Sequence, residues 1–155
     1  MISNKMQSNF TCALKAAFPV LILFLLLGFT AESLQNKKVC FSNVCINVEV
    51  ADTDASRQKG LMFRKELPED RGMLFIFESE DKQFFYMKNM NFSLDVLWLD
   101  AGKKIVGIKK NFQPAPAGVG SSKTIASQRP ALYVLEVNSG FCDKYKVQAG
   151  EVLSF

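Results

Sequence analysis

The sequence predicts a mostly β chain, a compact antiparallel sandwich or barrel with one or two short helices. Seven or eight short apolar or alternating runs follow one another closely, with glycine, proline and asparagine between them. A doubly wound parallel sheet needs a crossover helix between successive strands. Only one stretch has the composition to supply such a helix.

The first element is a hairpin. Val39-Cys40-Phe41-Ser42-Asn43-Val44-Cys45-Ile46 reads as two strands joined by a Ser-Asn turn. In that register Phe41 and Val44 are the hydrogen-bonded pair, and Cys40 and Cys45 the adjacent non-hydrogen-bonded pair, the one of closest Cα approach. This spacing suits a disulfide formed in an oxidising compartment; two reduced strand cysteines are the alternative. So short a loop makes the bond worth roughly 2 kcal/mol, a local staple.

Residues 44–50 then alternate, with Val44, Ile46, Val48 and Val50 on one face and Cys45, Asn47 and Glu49 on the other. A short helix over 54–63, capped by Thr53 or Asp52, brings Leu61 and Met62 against the core. Pro68, Asp70 and Gly72 break the chain before 73–77, an unbroken apolar run expected of a strand covered on both faces. Strands over 83–88 and 94–99 are linked through 89–93, and Ala101-Gly102 turns the chain into a strand over 104–109. Three of the five prolines, two glycines and several serines mark 111–130 as an exposed loop. A strand over 132–137, one helical turn over 139–145 and a short strand over 151–155 complete the order.

Residues 1–33 form a separate segment. Lys5 and Lys15 precede sixteen uncharged residues, and the apolar centre of that run is short for a membrane span. It reads as a signal peptide, with Ala31 and Ser33 suited to cleavage after Ser33; a retained anchor is the alternative. About 122 residues follow, enough for one domain, set at 38–155. Removing Lys5, Lys15 and Glu32 leaves seventeen basic against fourteen acidic residues, a net charge of +3. That balance does not point to nucleic acid, whose partners cluster positive charge on one face. The expected location is the periplasm or the extracellular space, or the inner membrane if the segment is kept, and the expected state is monomeric.

The chain has no histidine. Ser-His-Asp and Cys-His catalysis and histidine-ligated metals are therefore excluded, and no metal or cofactor is expected. Asp95 shares a strand face with Leu97 and Leu99, while Leu94, Val96 and Trp98 face the other way. A carboxylate on an apolar face needs a partner or its pKa rises. A four-residue connection over 90–93 sets Lys88 opposite Asp95; a five-residue one sets Met87 there and leaves Arg64 as the partner. The pair either fixes the hairpin or, with Arg64, Lys88, Asn89 and Asp95 together, forms a pocket for a small polar or anionic ligand. Glu136 alternates with Leu132 and Val134 and is the second carboxylate expected to be partly buried. Asp95 and Glu136 are thus the candidate acid/base pair of a hydrolase acting on an envelope carbohydrate. Ser121-Ser122-Lys123 reads as solvated loop, Cys142 as a small half-buried residue, and Phe84, Phe85, Tyr86, Phe92 and Trp98 as core rather than a sugar platform.

The ordered set Arg57, Gly60-Leu61-Met62, Arg64, Leu67, Gly72-Met73-Leu74-Phe75, Phe77, Phe85, Met87-Lys88-Asn89, Leu94-Asp95, Leu135-Glu136-Val137, Gly140 and Gly150 resembles a widespread prokaryotic family, domain of unknown function 192. The resemblance spans about residues 38–155. It departs at Tyr86, Met90 and Ser93, where the family usually has tryptophan, threonine and proline. It implies a β-sandwich of jelly-roll type and frequent export, and no biochemical function. The expected role is an exported module binding a small polar or anionic ligand or an envelope partner. The alternatives are the Asp95–Glu136 hydrolase and a structural accessory docking through loop 111–130.

The hairpin reading predicts that the processed chain, denatured and alkylated without reductant, takes up one label, at Cys142. Three labels by intact mass contradict the disulfide.

Overall fold

The computed structural model describes residues 34–114 and 123–155. The expected signal segment, Ser121, Ser122 and part of the 111–130 stretch lie outside those residues. The strands are β1 (Asn36–Cys40), β2 (Cys45–Ala51), β3 (Arg71–Asp81), β4 (Phe84–Tyr86), β5 (Leu94–Leu99), β6 (Ile105–Phe112), β7 (Thr124–Ala126) and β8 (Ala131–Asn138). The helices are α1 (Asp54–Lys59) and α2 (Phe141–Lys144). The fold is mostly β with two short helices, as expected. Six strands form one sheet in the order β1-β2-β3-β8-β5-β6, and β4 pairs with β7 in a second.

The β1–β2 hairpin has the register its sequence implies. Cys40 stands opposite Cys45, the Phe41 amide donates to the Val44 carbonyl at 2.8 Å, and the two sulfurs are bonded at 2.08 Å. The next connection departs from the antiparallel pattern, because β2 and β3 are parallel. Parallel neighbours need a long crossover, and α1 lies within it. Thr53 and Ser56 form a reciprocal capping box at its start. Gly60, at φ 47 and ψ −135, ends the helix earlier than the expected residue 63. That backbone region is essentially reserved for glycine.

β3 runs between β2 and β8. A Cβ on Gly72 would lie 2.7 Å from the Glu136 carbonyl, so only glycine lets β3 and β8 approach this closely. β8 is antiparallel to both β3 and β5, and β5 also pairs with β6. β5 is buried along its whole length. Its alternation is the one read from sequence: Leu97 and Leu99 join one core, and Leu94, Val96 and Trp98 the other.

Three expectations are corrected. The strand over 83–88 stops at Tyr86, Lys88 lies in a turn, and β4 pairs with β7 rather than β5. The stretch 111–130 contains the end of β6 and all of β7, a strand too short for its single isoleucine, Ile125, to show a period. Residues 151–155 make bridges, not a ladder: Ser154 pairs with Cys40 of β1, and Val152 with Lys104 just before β6. The end of the chain thereby links the two outer strands of the six-stranded sheet, and Leu153 enters the core that they enclose.

The first core lies on this enclosed face, filled by Val39, Leu74, Leu97, Leu135 and Val137 and covered at one end by Phe141 and Cys142 of α2. The second lies on the opposite face, where Leu61, Phe85 and Met87 pack over Met73, Phe75 and Val96. Burying a side chain of this size stabilises by about 1.5 to 3 kcal/mol. Both faces of the central strands therefore carry folding energy. Among the described residues no helix is long and apolar enough to cross a membrane.

Candidate functional site

Asp95 lies on the enclosed face, fully buried. Its two carboxylate oxygens accept from the backbone amides of Asn111 and Cys142, each at 2.9 Å. These charge-assisted bonds, worth about 1.5 to 3 kcal/mol each, tie β5 to the end of β6 and to α2. The expected Lys88 partner is not there. Lys88 is exposed in its turn, and its neighbour Met87 is buried in the second core, across the sheet from Asp95.

Arg64 binds Glu49 of β2 through two bonds of 2.5 and 2.7 Å. That contact lowers the Glu49 pKa and raises that of Arg64. Asn89, at φ 55, accepts the Phe63 amide on its carbonyl at 2.9 Å and so touches the same loop. Arg64 and Asn89 are therefore neighbours, but Lys88 and Asp95 do not join them. The expected four-residue polar pocket is not assembled.

The Asp95–Glu136 pair is also separated. Opposite residues of a ladder point to the same face, and Asp95 faces Val137 whereas Glu136 faces Val96 on β5 and Met73 on β3. The two carboxyls thus project from opposite faces, with the sheet between them. They cannot act on one bond. Burial first, and then the Asp95 carboxylate, push the Cys142 thiol up to about 12, so it is neutral and a poor nucleophile.

Glu136 instead reaches a cleft of about 240 Å³. Glu136 is 7 % exposed; its carboxyl has no protein hydrogen-bond partner among the described residues but is not fully sealed, since the buried side-chain polar atom left without a partner there is Trp98 Nε1. Burial pushes its pKa up to about 8. At neutral pH it is therefore mostly a carboxylic acid, able to donate and to accept. The walls are apolar and soft: Phe75 and Phe77 from β3, Phe85 from β4, and Met62, Met87 and Met90 from the flanking loops. Phe85 meets Phe75 edge to face at 5.0 Å and Phe77 at 6.4 Å, which sets the ring orientations.

Arg57 holds the roof. Its guanidinium donates to the Asp52 and Ile76 carbonyls at 2.7 and 2.8 Å and to Asp54 at 2.5 Å, and it lies 5.5 Å from the Phe77 ring centroid. α1 is thereby fixed across β3. Gly60 then turns the chain within 3.4 Å of the Phe75 ring, measured from a Cβ built on it, which sends Leu61 into the core and Met62 to the cleft. On the rim, Phe84 and Tyr86 are 62 % and 42 % exposed, because β4 points alternate residues outward while Phe85 turns in. Phe63, 72 % exposed, sits beside Met62 at φ 64, a conformation that costs a bulky residue about 1 to 3 kcal/mol.

Sequence reasoning found Glu136 but not its surroundings. Phenylalanines and methionines that line a cleft are the same residue types that fill a core. The available signal was Met62, Met87 and Met90 close to the aromatic runs, since methionine suits adaptable binding surfaces. No group of three histidine, cysteine, aspartate or glutamate side chains converges as metal ligands among the described residues.

A mostly β domain with a cleft walled by phenylalanine and methionine, charged at its α1 side and holding the buried acid Glu136, is the class of protein that these features define. The chain belongs to the DUF192 family, described as "Uncharacterized ACR", which matches residues 37–155. A similar solved structure, from Sinorhizobium meliloti 1021 and described as "a putative transcription regulator", is 30 % identical with a TM-score of 0.71 over 79 % of this chain and 95 % of that one. Another, a protein of unknown function from Novosphingobium aromaticivorans DSM 12444, is 27 % identical, with a TM-score of 0.71 over 81 % and 89 % of the two chains. No curated protein sequence matches the chain.

Glu136 has a pH signature. Its folded pKa, about 8, lies above the ordinary 4.5, so the folded chain holds this proton more tightly than the unfolded one. The stability this contributes is complete below about pH 4.5, and falls by about 1.4 kcal/mol per pH unit until about pH 8. Denaturant unfolding of Glu136→Gln across that window should show the variant gaining on the wild type at this slope. A pH-independent difference contradicts the buried, unpaired carboxyl.

Proposed function

We propose that the chain is an exported binding module that grips the apolar end of a ligand or envelope partner in the cleft between α1, β3 and β4, without catalysis of its own. The unpartnered Glu136 carboxyl on the floor of that cleft carries the reading. Holding it neutral at pH 7 costs about 3 kcal/mol relative to an exposed carboxyl, and no hydrogen bond among the described residues offsets the cost. Groups of this kind concentrate at functional sites, and an apolar cavity with one convergent polar group is the usual form of a small-molecule site.

Binding is favoured over catalysis because Glu136 has no chemical partner. Asp95 faces away across the sheet, Cys142 holds its proton, and the chain has no histidine. A ligand with an apolar body fits these walls better than the small anion expected from Arg64 and Lys88. Export is supported by the apolar run in residues 1–33 and by the Cys40–Cys45 bond.

A fragment screen on protein carrying ¹³C-methyl methionine tests this. Fragments that bind should shift the Met62, Met87 and Met90 methyl signals, and Met90→Trp, which fills the cleft, should abolish the Met62 and Met87 shifts while leaving Tm within a few degrees. Binding that leaves those methyls unmoved, or no binding at millimolar concentration, contradicts the reading.

A further inference from the structure

We infer that the end of the ligand seated in the cleft is an organic cation, a protonated or quaternary amine, packed against the phenylalanine rings with Glu136 as its counter-charge. The inference rests on the cleft being the binding site, and it names the class of group that enters.

Charge is the first argument. Glu136 is flanked along its row by Met73 and Val96, both apolar. The titratable groups facing the cleft are Asp54, Arg57 and Lys59 of α1 and Tyr86 of β4. The same row continues to Glu49 on β2, held by Arg64, and Asn36 on β1, and on the other side reaches Lys109 on β6, which is exposed. Arg57 is occupied by Asp54 and two backbone carbonyls, and Lys59 is exposed. An ionised Glu136 would therefore stand uncompensated, which is why burial alone accounts for its raised pKa. A neutral ligand can meet that acid through hydrogen bonds alone, whereas a ligand bringing positive charge also compensates its ionised form.

The walls are the second argument. Ring faces carry negative quadrupole potential and thioether sulfurs are weak acceptors, so the lining offers little to an anion and much to a poorly hydrated cation. The protein's own cations already use the outer rings, with Arg57 5.5 Å from the centroid of Phe77 and Lys82 5.8 Å from that of Phe84. Size is the third. A space of about 240 Å³ is below the usual range for a whole drug-sized ligand and suits a head group or a single side chain.

Binding then expels one proton. Glu136–COOH and the cation form a carboxylate–cation pair, and the proton passes to solvent. Choline and its uncharged carbon isostere, 3,3-dimethyl-1-butanol, are the probes, titrated against wild type and Glu136→Gln between pH 6 and 9 by the methionine methyl signals. Choline affinity should rise about tenfold per pH unit up to about pH 8 and then level, exceeding that of the alcohol at least tenfold at pH 8.5. Glu136→Gln, checked for folding by its denaturant unfolding transition, should remove both the rise and the preference. Equal binding of the two probes at every pH overturns the cation and leaves the cleft reading standing. Binding of neither, with the methyls unmoved, overturns both.

Discussion

Both faces of the central strands are buried, and the rest of the structure follows from that constraint. β3, β8 and β5 each send alternate residues into two separate cores, one enclosed by the curled sheet and one under α1 and β4. A polar residue on such a strand has no solvent to retreat to. Its fate is decided by which core it enters, and moving one position along the strand changes that core.

Asp95 and Glu136 show the two outcomes. On the enclosed face, the chain folds back so that the Asn111 and Cys142 amides meet both oxygens of Asp95, and a buried carboxyl becomes a tether for β6 and α2. On the other face no such donor arrives at Glu136, and the lining withdraws to leave a cleft. A satisfied buried carboxylate serves folding. An unsatisfied one costs stability, and here it sits where a ligand can reach it.

Much of this was legible in residues. The Cys40–Cys45 register follows from a two-residue turn, β5 from its strict alternation, and α1 from Thr53 and Gly60. Other features were not. Alternation on β5 shows that Asp95 shares a face with Leu97, but not whether Lys88 lies on that side. The sequence order of β4 and β5 made them look like a hairpin, whereas β4 pairs with β7, which is far along the chain and nearly silent in composition. The cleft was hidden for a different reason: Phe75, Phe77 and Met87 would be equally at home in a closed core. The ordered set that carries the family resemblance does surround it, since Arg57, Gly60, Met62, Phe75, Phe77, Met87 and Glu136 all line the cleft.

The role of the cleft therefore turns on the protonation state of one side chain. A ¹³C NMR titration of protein labelled at its glutamate side-chain carboxyls, with Glu136 assigned by its loss in Glu136→Gln, measures that state directly. A midpoint near pH 8 is expected. A midpoint in the ordinary carboxyl range, near 4.5, would mean that Glu136 is solvated or partnered, and would contradict the cleft as the functional site.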